Sequence, residues 1–235
     1  MDSNRMLTIC PTYKRPEMCE EMLKSYVKTK APENISDMVL GLSSNDDCIP
    51  QYQALGKKYN AKVYIYDSNS TTFIFNQVWK DHPEYYCYHM TNDDVIYQTV
   101  DWDGIFIYTL FRQGGGITYG DDRFHGAGLC TLPCISASVV NAVGYLQYHG
   151  LDKLWGDAVW MKIGNKVPCI YWAFQVKMEH KHWINGKREK DATAEEYLVG
   201  YRRDEMAYLL WERNFAEADI EKVKKLFRDE QLKNR

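Results

Sequence analysis

Over its N-terminal half the chain alternates short apolar runs with longer stretches in which apolar side chains recur every three or four positions. Met6 to Cys10 suits a short buried strand. Pro16 suits the first turn of a helix, and Met18, Met22, Leu23, Tyr26 and Val27 follow at helical spacing until Pro32. Asp37 to Ser43 repeats the strand pattern, and Tyr52, Leu55 and Tyr59 repeat the helical one. Ala61 to Tyr66 alternates Val63 and Ile65 with Lys62 and Tyr64, and Phe73 to Trp79 reads as helix. An aromatic-rich strand then opens at Tyr85, breaks at Asn92-Asp93-Asp94, and returns to apolar residues up to Tyr97. Strand and helix alternating in this way predict an α/β fold with a mostly parallel, doubly wound sheet flanked by helices. Ligands of such sheets bind beyond the carboxyl ends of the strands. The polar exits Thr12 to Arg15, Ser44 to Asp47, Asp67 to Ser70, and Asn92 to Asp94 therefore share one rim.

The second half is less regular. Trp102 to Phe111 reads as helix, Ile117 to Tyr119 and Leu129 to Ile135 as strands, and Ser136 to Leu146 as helix. Trp155 to Met161 reads as a turn into a short helix, with Asp157 at or near its N-cap. Val167 to Phe174 is a strand, and Glu179-His180-Lys181-His182 follows a further apolar stretch. Thr193 and Glu196 have capping-box spacing at the head of a helix to about Arg213, and Ile220, Val223, Leu226 and Phe227 mark a last amphipathic helix.

Composition narrows the class. A chain of 235 residues, with 45% hydrophobic and 14% aromatic content, is one globular domain with room for a substantial core. Met1 to Arg5 is polar, and the run to Cys10 is too short for a leader. No run reaches the ~18 apolar residues of a membrane span, so a cytoplasmic protein is expected. Seven cysteines without a C-x-x-C pair are expected to be reduced. The net charge of −3 gives no global drive toward nucleic acid. Neither a G-x-G-x-x-G after the first strand nor a G-x-x-x-x-G-K-[ST] is present, which argues against dinucleotide and P-loop sites.

The chemistry concentrates at Asn92-Asp93-Asp94. Adjacent carboxylates at a buried strand end repel unless something positive joins them, and a divalent cation with oxygen ligands answers that need; a solvated turn is the plainer reading. His180 and His182 would share one face if on a strand, and on a loop either could turn inward; a surface His pair is the plainer reading. Asp157, between Trp155 and Trp160, suits a general base beside a sugar-stacking wall, or simply a helix cap. Gly120-Asp121-Asp122-Arg123 is a second acidic patch, read as a hairpin turn or as a contact to a donor sugar.

In order and spacing these segments resemble nucleotide-sugar glycosyltransferases of the GT-A fold, family-2-like group, over residues 6 to about 190. Pro11-Thr12-Tyr13-Lys14-Arg15-Pro16 is similar to the first-strand exit that holds the nucleotide there, and Asn92-Asp93-Asp94 to the acidic D-x-D metal motif. Gly156-Asp157 falls where that group places the acidic pair with the catalytic base, with Gly156 a departure from the usual Glu. Glu179-His180-x-His182, with Gly186-Lys187 and Asp191, resembles the late His region of the metal site.

The resemblance implies one GT-A domain over 1–235. Residues 1–100 would be its nucleotide-binding half, 101–190 its acceptor and catalytic half, and 191–235 a helical extension. It implies transfer of a sugar from a nucleoside-diphosphate sugar, UDP first among them, to a hydroxyl. Asp94, His180 and His182 would hold Mn²⁺ or Mg²⁺, and Asp157 would be the base of an inverting displacement. Pro11, Thr12, Tyr13, Arg15, Asp46 (or Asp47), Asn76, Asn92 and Asp93 would contact the donor, with Lys181 and Lys187 near the diphosphate. Trp155 and Gly156 would face the acceptor. Two alternatives stand beside this reading. One is an inactive domain of this fold that binds a nucleotide or glycan. The other is a phage-type enzyme glycosylating hydroxymethylated DNA bases, with residues around Tyr197 to Arg203 and Lys222 to Arg228 as its groove.

Overall fold

The computed structural model describes residues 4–33, 35–189 and 192–233. Strands β1 (Met6–Thr12), β2 (Ser36–Ser43), β3 (Lys62–Tyr66) and β4 (Cys87–Met90) alternate with helices α1 (Pro16–Thr29), α2 (Ile49–Tyr59) and α3 (Thr71–Asp81). Next come β5 (Val95–Tyr97), α4 (Trp102–Arg112), β6 (Ile117–Asp121), β7 (Cys134–Ser136), α5 (Ala137–Val143), α6 (Gly156–Lys166) and β8 (Ile170–His180). Helices α7 (Ala192–Asn214) and α8 (Ala216–Lys233) close the chain.

One sheet runs in the order β3-β2-β1-β4-β7-β6-β8-β5. The first four strands are parallel; β1, β2 and β4 are the buried, mostly apolar runs expected of strands covered on both faces, and β3 is the partly exposed edge. β7 enters antiparallel to both β4 and β6, so the sheet is mixed beyond β4. β8 pairs parallel with β6 in its first half and antiparallel with β5 in its second, with an irregularity in register between.

Alternate residues of β1 feed two cores, because successive strand side chains point to opposite faces. Leu7 and Ile9 pack with Ile74 and Val78 of α3, Val140 of α5, Trp160 of α6, Trp211 of α7 and Val223 of α8. Met6 and Cys10 pack with Met22 and Leu23 of α1, Tyr52 of α2, and Trp102 and Phe106 of α4. Each such aliphatic or Phe side chain contributes roughly 1.5–3 kcal/mol on burial. A Cβ on Gly41 of β2 would collide with the Cγ2 methyl of Ile74, so glycine lets α3 lie directly on the sheet.

The second-half expectations shift at the edges. Leu129 to Leu132 is not strand, since β7 starts only at Cys134. The fifth helix stops at Val143, where Gly144 turns left-handed (φ 89°), short of Leu146. β8 begins at Ile170 and continues to His180, because its apolar segment and the His segment form one strand. α7 already contains Thr193, and the Thr193 and Glu196 side chains, like Asp191, lie outside the described set.

The C-terminal helices are packed into the domain rather than attached at a hinge. Trp211 is fully buried, and its Nε1–H donates to Asp219 Oδ2 of α8 at 3.0 Å. Tyr145 donates to the same oxygen at 2.6 Å. All seven cysteines are free thiols. Among the described residues no helix is long and apolar enough to cross a membrane.

Candidate active site

A cavity of about 620 Å³ opens beyond the carboxyl ends of β1 and β4. Pro11, Thr12, Tyr13, Arg15, Asn92, Asp93, Asp94, Trp155, Gly156, Asp157, His180 and His182 all line it. The structure thus gathers segments more than a hundred residues apart in sequence.

The β1 exit is tied to the acidic motif. Thr12 Oγ1 donates to Asp93 Oδ2 at 2.8 Å, and Arg15 Nη1 lies 3.4 Å from Asp93 Oδ1. Tyr52 Oη accepts from the Arg15 amide at 2.8 Å and shares a hydrogen bond with Thr12 Oγ1 at 3.0 Å. Burial pushes the Asp93 carboxyl up to about 6, with Arg15 pulling it down and Asp94 pushing it further up. Asp93 thus organises the loop.

Asp46, expected at the nucleotide, does not line the cavity. Its carboxylate accepts from the amides of Lys14 (2.8 Å) and Cys48 (2.8 Å), holding Lys14 in a left-handed conformation (φ 55°). Asp46, Asp47 and Cys48 bring metal-donor atoms close together, and each Asp46 oxygen there also accepts one backbone amide. Asn76 is also placed elsewhere. Its Oδ1 accepts from the amides of Leu146 and Gln147, and its Nδ2 donates to the Gln147 carbonyl at 2.7 Å. A side-chain amide bound on both ends to backbone is a clamp between α3 and the segment after α5.

Asp94 and His180 meet because β5 and β8 pair with Val95 opposite His180. The Lys181 amide donates to the Asp94 carbonyl at 2.8 Å and fixes the register. His180 Nε2 lies 3.1 Å from Asp94 Oδ1, an ion-pair contact not aligned for a hydrogen bond, and among the described residues neither His180 ring nitrogen has a hydrogen-bond partner. His180 is only 8% exposed and Asp94 4%, so unsatisfied polar atoms here call for an explanation. An octahedral divalent ion bonded at about 2.1 Å holds neighbouring ligand atoms about 3 Å apart. The pair therefore fits such an ion. Burial acts to raise the Asp94 carboxyl, but His180 and then Arg188 outweigh it, so its pKa is lowered and it stays ionised. Arg188 Nε approaches Asp94 Oδ2 at 3.5 Å.

His182 differs from His180. Its Nδ1 accepts from the Ile184 amide at 3.2 Å, which leaves the ring proton on Nε2. Asp94, His180 and His182 do not bring three donor atoms within 4.8 Å of one another. Burial, then the neighbouring His180, lower the His182 pKa to about 4.

Asp157 is the second residue of α6, whose N-terminus is set by Trp155 in a left-handed conformation (φ 68°). Its Oδ1 accepts from the Ala158 amide at 2.8 Å. Burial raises the Asp157 pKa, partly offset by that amide, His125 and His180. A Cβ on Gly156 would lie 3.0 Å from Cδ of Gln147, whose Nε2–H is donated to Thr72 at 2.7 Å. This packing accounts for glycine where the family pattern has Glu. Trp155 stacks on Tyr208 of α7 (5.1 Å between ring centroids, 27° between planes). Asp204 of α7 is fully buried and accepts from the amides of Asp152, Lys153 and Leu154 at 2.8–3.1 Å.

The cationic expectations move by one residue. Lys181 pairs with Glu21 at 2.8 Å and Lys187 with Glu179 at 3.0 Å, and neither lines the cavity; Arg188 does. Phe124 and His125 also line it, although reading the sequence singled out neither. The nearest signal was the Gly120–Arg123 patch, whose Asp122 binds His125 Nδ1 at 2.9 Å. Four of the basic residues expected to form a DNA groove are paired with acids: Arg203 with Asp152 and Asp204, Lys222 with Asp219, and Lys224 and Arg228 with Glu221.

Solved structures match this fold. A mannosyltransferase from Pyrobaculum calidifontis, in complex with GDP-Man and Mn²⁺, superposes with a TM-score of 0.60 at 13% identity, covering 95% of this chain and 80% of that one. The fold is that of the GT-A glycosyltransferases. S. aureus TarS gives a TM-score of 0.59 at 13% identity over 74% of this chain and 36% of its own. GalNAc-T7 with UDP, GalNAc and Mn²⁺ gives 0.63 at 9% identity over 76% and 44%. The chain therefore spans about a third of the TarS chain and under half of GalNAc-T7. No protein-family model and no curated protein matches it by sequence.

Proposed function

We propose that this chain transfers a sugar from a nucleoside-diphosphate sugar, UDP-linked by first expectation, to a hydroxyl acceptor with inversion, using Mn²⁺ or Mg²⁺. The observation that carries the reading is the buried, unaligned Asp94–His180 pair in a cavity that Asp157 also lines. The solved neighbours that hold UDP or GDP-Man with Mn²⁺ support it. Asp94 and His180 would hold the divalent ion, which would supply Lewis-acid stabilisation to the diphosphate leaving group.

The remaining work falls to the chain's own groups. Arg188 and Arg15 bring guanidinium donors to the diphosphate side of the cavity, where planar forks suit phosphate oxygens. His182 contributes an Nε2–H donor rather than a lone pair, so His180 is the metal ligand of the two. Pro11, Thr12 and Tyr13 present the β1 exit to the base, and Asn92 stands at the cavity mouth. Asp157 takes the proton of the attacking hydroxyl. Its burial raises its pKa toward the working range of a general base. Trp155 gives the acceptor an apolar wall.

The test is Mn²⁺-dependent release of UDP or GDP from a panel of nucleotide sugars. Asp157→Asn keeps the shape and loses the base, so kcat should fall on the order of 10²–10⁴-fold while donor binding changes little. An Asp157→Asn variant as active as the parent would remove Asp157 from the reaction.

A further inference from the structure

Just past β6 the chain makes a tight turn around one side chain. Asp122 is 2% exposed. Its Oδ1 accepts the amides of Phe124 (2.9 Å), His125 (2.7 Å) and Gly126 (3.2 Å), and its Oδ2 meets His125 Nδ1 at 2.9 Å. Its backbone carbonyl accepts the amide of His180 at 3.1 Å, so the turn is fastened to the strand end carrying the metal histidine. A carboxylate only accepts hydrogen bonds, so Nδ1 of His125 carries a proton, and in the neutral ring Nε2 then carries the lone pair. The imidazole lines the cavity, and no protein group among the described residues meets Nε2. Beside it, the Phe124 ring lies nearly parallel to His182 (6.4 Å, 11°). A turn stabilised by Asp122 alone would leave the His125 ring in no fixed place. Here the ring is held by Asp122 in the wall of the cavity that Asp94, His180 and Asp157 also line.

Resting on the sugar-transfer reading above, we propose that Asp122 and His125 form a sugar-reading pair: His125 Nε2 accepts a hydrogen bond from one hydroxyl of the transferred sugar and so selects the donor. The location fits, because the transferred sugar must lie between the diphosphate, at Asp94 and His180, and the acceptor, at Asp157. The class of substrate follows: a hexosyl donor with a free hydroxyl at the position facing His125, rather than one deoxygenated there.

The test uses UDP-glucose, UDP-galactose, UDP-GlcNAc and GDP-mannose with Mn²⁺, then monodeoxy analogues of whichever donor the full chain turns over fastest. The wild type should lose kcat/KM on the order of tenfold or more for one deoxy position. In His125→Phe the parent donor should fall by a similar factor and that deoxy analogue should not fall further, erasing discrimination at that hydroxyl alone. Asp122→Asn offers an amide N–H₂ to Nδ1, which inverts the tautomer. The ¹⁵N signals of His125 should then show a protonated Nε2, and the parent donor should suffer the same penalty. If His125→Phe discriminates among the deoxy donors as the wild type does, the pair does not read the sugar, and sugar transfer itself still stands. If the wild type binds neither UDP nor GDP with Mn²⁺, the transfer reading falls and this inference with it.

Discussion

Two histidines two residues apart are held differently, and hydrogen bonding separates them. Among the described residues His180 has no hydrogen-bond partner at either ring nitrogen, only the ion-pair contact to Asp94, whereas His182 accepts an amide through Nδ1. His180→Ala should therefore weaken Mn²⁺ binding at least tenfold, read by the free-ion EPR signal. His182→Ala should leave Mn²⁺ affinity within about twofold and instead weaken nucleotide affinity through a lost donor to phosphate. The reverse pattern would exchange their roles. Sequence spacing marked both residues but held nothing about which nitrogen faces what, because the difference arises from Ile184 closing a turn onto His182. The same limit hid Arg188 and His125. Their neighbours Lys187 and Asp122 carried equally good charges in sequence, and only the turns decide which side chains reach the cavity.

At the scale of elements, the parallel half was legible because buried strands read as continuous apolar runs and each ends in a polar exit. The half beyond β4 was harder to read. Leu129, Cys130 and Thr131 look like the start of a strand, yet Leu129 and Thr131 line the cavity in a loop. β8 hides its role by changing partner midway, and that change delivers His180 to β5. Asn76 looked like a donor contact because nothing in sequence shows that two backbone amides wait for its oxygen. The C-terminal helices also matter to the site. Asp204 of α7 accepts the three amides of the segment leading into Trp155 and Asp157. Asp204→Ala strands those amides, so stability should drop by about 3 kcal/mol in urea unfolding. kcat should fall more than nucleotide affinity, since the base segment loosens while the metal pair is untouched. A variant with unchanged kcat would show that α7 supports the fold without positioning the base.

For the molecule as a whole, acid sensitivity follows from His89. It is fully buried among Tyr97, Trp102 and Phe106, and burial lowers its pKa to about 3 from an ordinary value near 6.5. The unfolded chain then binds a proton that the folded chain refuses between those values. The stability His89 protects is complete above pH 6.5 and is lost as pH falls toward 3, by about 1.4 kcal/mol per pH unit. Asp93, raised by burial to about 6, acts in the opposite sense below that pH, because its folded form binds the proton more tightly. His89→Gln isolates the first effect: the urea-derived stability of wild type minus variant should slope with pH between about 4 and 6, and a flat difference would assign the acid loss elsewhere. The central claim concerns the other buried pair, and isothermal titration of UDP and GDP with and without Mn²⁺ tests it most directly, on the wild type and on Asp94→Ala with its fold checked by circular dichroism. The account predicts nucleotide binding that requires Mn²⁺ in the wild type and is weakened at least tenfold in the folded variant. An Asp94→Ala protein that binds nucleotide and Mn²⁺ as the wild type does would contradict it.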